Sequence, residues 1–200
     1  MAAKTGLEKL KASVEREALL TDERYCSCEY AEHPSLPVDA IAADILFRYH
    51  AKKGIPLRTT GDGDFLFNAV SILLCGNESK SVERRYKTTL MMVLEESAIL
   101  GHPNRSSIQL SPDYSDAALN CAQIGSFVSA WTMIALAMIT KRPLRSVYPA
   151  VNGAKDLAFR ALYTTINHAA EGSIISVMWS NVTKPANALL VKRKKKNMDP

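Results

Sequence analysis

Residues 60–76 read TGDGDFLFNAVSILLCG. A tight acidic-glycine turn, Gly61-Asp62-Gly63-Asp64, runs straight into an apolar run. Glycines permit the positive φ that such a turn demands. From Phe65 to Leu74 only Asn68 and Ser71 are polar, and Gly76 is placed to end a helix. A helix without a polar face is a buried central helix. The stretch therefore predicts an elbow that delivers the chain into the core and presents Phe65 at a helix N-terminus. A nucleophile so placed is exposed, and the helix dipole stabilises its anion. The turn's backbone N–H groups are suited to an oxyanion. Phenylalanine, however, forms no thiolate and takes no proton.

Outward from the elbow, Leu7, Leu10, Val14 and Ala18 share a helical face, which predicts an amphipathic helix over 5–20. Residues 21–37 have no clean period and read as a connector. Pro37 stands where a first-turn proline belongs, ahead of Ile41, Ile45 and Tyr49 at helical spacing, with Gly54 as a cap. Ile55–Leu57 reads as a short strand. Ser81 opens a longer helix through Leu100, with Val82, Tyr86, Leu90, Val93 and Leu94 on or near its buried side, stopped by Gly101 and Pro103. Residues 102–114 read as an exposed loop, and helical pattern resumes from Ser115 and from Ser126 to Thr140. After Pro143 the pattern becomes strand-like at 144–149, 173–179 and 188–191, while 157–166 fits strand or helix. Helices crowd the first two thirds and strands the last third. The expectation is an α/β (α+β) domain with helices around a small, late-forming sheet.

The chain has 200 residues, 47% of them hydrophobic and 22% charged, as in an ordinary globular domain. No apolar run approaches the ~18 residues that span a bilayer, so no membrane partner is expected. Four cysteines (Cys26, Cys28, Cys75, Cys121) do not frame a disulfide scaffold, and the N-terminus lacks an apolar signal core, which fits an intracellular setting. The net charge is +5; Lys192, Arg193, Lys194, Lys195 and Lys196 carry five positive charges and Asp199 one negative, so the rest of the chain comes to about +1. A nearly neutral body argues against a broad nucleic-acid face. The basic run reads as a nuclear-import patch, a weak polyanion contact or a solvated terminus. Cys26-Ser-Cys28 near His33 has the wrong spacing for a zinc knuckle, so no metal and no cofactor are expected. Trp131, Trp179 and the methionines at 91, 92, 133 and 138 read as core, and His50 and His102 as surface or helix-end residues.

The elbow resembles the motif of the OTU (ovarian tumour) family of cysteine proteases, roughly Asp-Gly-(Asn/Asp)-Cys-Leu-Phe-(Arg)-Ala-Val-Ser. Asp62, Gly63, Asp64, Leu66, Phe67, Ala69, Val70 and Ser71 match it, and Phe65 stands at the cysteine. ERRYKTTLMMVLE (83–95) resembles the family's next helix. FVSAWTMIALAMITKRPLRSVYPAVNG (127–153) and ISVMWS (175–180) resemble a divergent nuclear branch, the vertnins, that also lacks the cysteine. The resemblance implies an OTU-like cysteine-protease fold over residues 38–192, between an N-terminal helix and connector (1–37) and a basic tail (193–200). The family's catalytic histidine falls best on Ala188. His168 precedes the relevant strand, and Cys75 lies ~15 Å along the same helix from the elbow. The implied degenerate site is thus Asp62, Phe65 and Ala188, and the implied binding loop is Gly61, Asp62, Gly63, Asp64 and Phe65.

Three functional classes follow. The first is a non-catalytic OTU-like module that binds a protein, ubiquitin or a ubiquitin-like protein among the candidates, with a nuclear, transcriptional role as the vertnins suggest and a cytoplasmic one as the alternative. The second is an active ubiquitin-directed thiol hydrolase working through a residue not identified. The third is a structural remnant. Phe65 is either a core plug in a filled site or an apolar anchor on the old groove. Asp62 and Asp64 are oxyanion-loop relics or charge partners for the helix N-terminus.

Overall fold

The computed structural model describes residues 2–14, 36–48, 54–107, 112–147, 165–166 and 174–179. In chain order the helices are α1 (Ala2–Val14), α2 (Ala40–Arg48), α3 (Phe65–Cys75), α4 (Ser81–Leu94), α5 (Glu96–Leu100), α6 (Tyr114–Cys121) and α7 (Ala130–Thr140). The strands β1 (Leu144–Val147), β2 (Thr165–Ile166) and β3 (Ile175–Met178) all follow Pro143, as the late strand pattern predicts. The sheet order is β2-β1-β3. β1 runs antiparallel to β2 and parallel to β3, with Leu144 opposite Ile175 and Ser146 opposite Val177. All four of these last residues are buried and the intervening Arg145 and Ser176 are exposed, so register and period-2 alternation agree. The architecture is α+β.

Two apolar helices form the centre. Leu66, Phe67, Val70 and Leu74 of α3 and Met133, Ile134 and Leu136 of α7 are fully buried, with Leu144, Ile175 and Val177 beneath them. α3 ends at Gly76, whose φ of 76° places it in the left-handed region, and the Gly76 amide donates to Ile72 O. The two polar residues of α3 tie its ends down. Asn68 Nδ2 donates to Thr60 O (3.1 Å) and Asp62 Oδ1 (3.2 Å). Ser71 Oγ donates to Asn77 O (2.6 Å) and accepts from Lys80 N–H (3.1 Å). Ahead of this centre, α1 packs on α4 and α6. Leu7 enters the core at 4% exposure, Gly6 lies against the Leu119 side chain, and Lys11 pairs with Glu96.

The structure departs from the sequence expectations at several places. The helix from Ser81 is interrupted at Glu95 (φ −109°, ψ 31°), and α5 restarts to bury Ile99 completely. Val82, Tyr86 and Leu94 are exposed rather than buried; Arg85, Thr88, Thr89 and Met92 take the inner face beside Leu90 and Val93. The threonines fit there because Thr88 Oγ1 donates to Arg84 O and Thr89 Oγ1 to Arg85 O, which leaves their methyl groups to the core. Pro37 precedes α2 by three residues, and the cap is Asp39, whose Oδ1 accepts Ile41 and Ala42 N–H. Ile55–Leu57 makes no strand; Leu57 forms one isolated bridge with Val38. The expected loop at 102–114 contains a 3-10 turn (Pro103–Ser107) and a buried His102 that accepts Asn104 N–H at Nδ1 (3.2 Å). α7 begins at Ala130, not Ser126, because Ser129 forms a capping box with Thr132. The expected segments at 15–20 and 188–191, and Cys26, Cys28, His33, His50 and His168, lie outside the described residues.

Candidate functional site: the elbow at Phe65

Two constraints shape the turn of the elbow, a backbone approach and an aspartate side chain. Gly63 sits at φ 89°, and a Cβ there would overlap the carbonyl of Gly125, itself at φ 77°. The 60–64 turn thus lies backbone to backbone against the 123–126 turn. Asp62 is exposed and its Oδ1 accepts Asp64 N–H (3.0 Å) as well as the Asn68 amide. Gly61 has open space around it.

Asp64 is buried and forms an ion pair with the buried Arg85 through Oδ1, while its Oδ2 accepts Gly125 N–H (3.1 Å). The Arg85 guanidinium fans out from there. Its Nη1 donates to Gln123 O (2.8 Å), Cys121 O (3.1 Å) and Asn120 O (3.3 Å). Its Nη2 donates to Ser126 O (2.7 Å) and Gly63 O (3.1 Å). The cation also lies over the Phe67 ring, 4.7 Å from its centroid. Burying a charge demands a partner and full hydrogen bonding, and this guanidinium has both. One side chain of α4 therefore bolts the elbow to the 120–126 segment. Asp62 and Asp64 stand here as structural acceptors, a role that neither alternative from the sequence named; Asp64 caps α3 with no side-chain hydrogen bond to the helix.

Phe65, the first residue of α3, is half-buried. Its ring meets Trp179 edge-on, with centroids 4.8 Å apart and planes at 76°. Trp179 is fixed in turn by its Nε1–H, which donates to Ser146 Oγ (2.6 Å), and by its backbone amide, which donates to Val147 O (3.0 Å). Phe65, Ala69 and Leu73, spaced by four, form one wall of a cleft of about 120 Å³; Pro56 and Leu57 and the Ser176–Met178 strand form others. Phe65 lines that cleft from the N-terminal end of α3. An apolar side chain in this position offers packing and no acid–base or nucleophilic chemistry.

Neither described cysteine substitutes for a thiol at the elbow. Cys75 lies at the opposite end of α3, where its Sγ accepts from Arg84 Nη2 (3.2 Å). Cys121 is fully buried, accepts from Thr89 Oγ1 (3.4 Å), and burial pushes its thiol pKa up. Among the described residues no group of three or more His, Cys, Asp or Glu could hold a metal ion. Among them, too, no helix is long and apolar enough to cross a membrane. Ala188 and Lys192–Lys196 lie outside the described residues. Arg85 and the Gly125 turn are the site residues that the sequence reading missed.

A glycine-acid elbow at the head of a buried helix, leaning on a small sheet formed late in the chain, is the arrangement of an OTU domain. The family model described as "Vertnin, OTU domain" matches residues 56–115 and 102–180, and the chain belongs to that family. The match spans the elbow, Arg85, the Gly125 turn and Trp179, whereas α1 and α2 lie outside it. The chain is 28% identical over 174 residues to vertnin of Ailuropoda melanoleuca, covering 74% of this chain and 24% of that protein. It is likewise 28% identical to vertnin of Homo sapiens, covering 74% of this chain and 25% of that one. It thus spans about a quarter of the length of these curated relatives. Among solved structures, "Structure of OTUD1 OTU domain" aligns with a TM-score of 0.47 and 16% identity, covering 70% of this chain and 88% of that one.

Proposed function

We propose that this chain is a non-catalytic OTU-like domain that works by binding a protein. The observation that carries the reading is Phe65. It stands where the OTU motif has its cysteine, at the apex of an elbow that is otherwise intact, with its ring packed on Trp179. A site with a phenylalanine at its apex and a buried Asp64–Arg85 scaffold around it is suited to holding a shape rather than turning over a substrate. Ubiquitin or a ubiquitin-like protein is the first partner to test. The basic run Lys192–Lys196 supports a nuclear setting in a regulatory role, and its nucleic-acid contact would be weak and salt-sensitive.

The test is an NMR titration of isotope-labelled ubiquitin with the unlabelled chain at low and moderate salt. Shifts clustered on one ubiquitin face that persist in salt support a ubiquitin-reading module. Shifts that vanish with salt, as a tail contact would give, or no shifts, rule ubiquitin out as the partner.

A further inference from the structure

We draw no further inference here: the strongest candidate, the Arg85-bolted turn at residues 123–127 that holds Ile124 (70% exposed) and Phe127 (80% exposed) out to solvent beside the elbow, is an apolar patch with nothing in the structure to show what covers it.

Discussion

Replacing Arg85 by methionine keeps an apolar stem of similar reach and deletes the guanidinium. The Arg85 side chain is 2% exposed and that of Asp64 9%. The carboxylate keeps its bond from Gly125 N–H but loses its only cationic partner among the described residues. Five carbonyls, of Gly63, Asn120, Cys121, Gln123 and Ser126, lose a donor at the same time. Deleting one member of a buried ion pair costs about 3–5 kcal/mol. For a domain of this size that lowers Tm by about 6 to 20 °C. The assay is urea and thermal unfolding followed by circular dichroism, run on Arg85→Met, Asp64→Leu and the double variant. Removing both charges abolishes the stranded ion, so the double variant is expected to be more stable than the sum of the singles by about 1.5–3 kcal/mol. It still falls below the parent, because the carbonyls stay unpaired. Singles that cost under about 1 kcal/mol, or that add without coupling, would refute the claim that this pair bolts the elbow.

Gly63→Ala is expected to destabilise strongly, since it combines a positive φ with overlap on the Gly125 carbonyl, whereas Gly61→Ala, with open space around it, shifts Tm little; parallel melts compare them. Phe65→Ala removes a half-buried ring and its edge-on contact, and is expected to cost ~1–3 kcal/mol, below the range for a fully buried phenylalanine. In a Trp131→Phe background the same change should shift Trp179 emission to the red; unchanged emission would contradict the contact. Leu7→Ala should cost ~2 kcal/mol or more in a thermal melt, because α1 docks through that side chain; no effect would show that α1 contributes nothing to the body. Hydrogen bonds from Lys80 and Lys87 hold the Glu83 carboxyl down at about 2 against an ordinary value of 4.5. A lowered carboxylate pKa stabilises above the ordinary value, and that contribution fades as pH falls from there through about 2. Glu83 is largely solvated, so Glu83→Gln should cost only ~0.3 kcal/mol at neutral pH and nothing near pH 2, read by urea midpoints at both.

The parts of the fold that follow from local chemistry are legible in the sequence. α3 shows itself through a turn that needs glycine, an apolar run and a glycine stop. The late sheet shows itself through alternation after Pro143. α4 illustrates the opposite case. Hydrophobic periodicity points to Val82, Tyr86 and Leu94 as its inner face, yet the inner face carries Arg85, Thr88 and Thr89. The threonines are buried because carbonyls four residues back satisfy them, and Arg85 because distant carbonyls and a distant carboxylate do; no local pattern announces a partner 21 or 41 residues away. The spacing of Ser81, Arg85, Thr88 and Met92 at helical period was the available signal, but it becomes readable only once the arginine is allowed inside. At the site, the elbow and the residue at its apex are visible in residues 60–76. The aromatic contact to Trp179 depends on β3 passing the N-terminus of α3, a tertiary arrangement that sequence spacing does not contain.

The most direct test of the central claim is to incubate the purified chain with ubiquitin dimers of defined linkage and with a fluorogenic ubiquitin C-terminal substrate, at pH values from 6 to 9 (about the range in which a protein thiol ionises). A phenylalanine at the apex predicts no hydrolysis above the rate without protein, and no change on addition of a thiol-alkylating reagent. Turnover that co-purifies with the chain and is lost in Cys75→Ser, or in any other single-residue variant that keeps the fold, would contradict it.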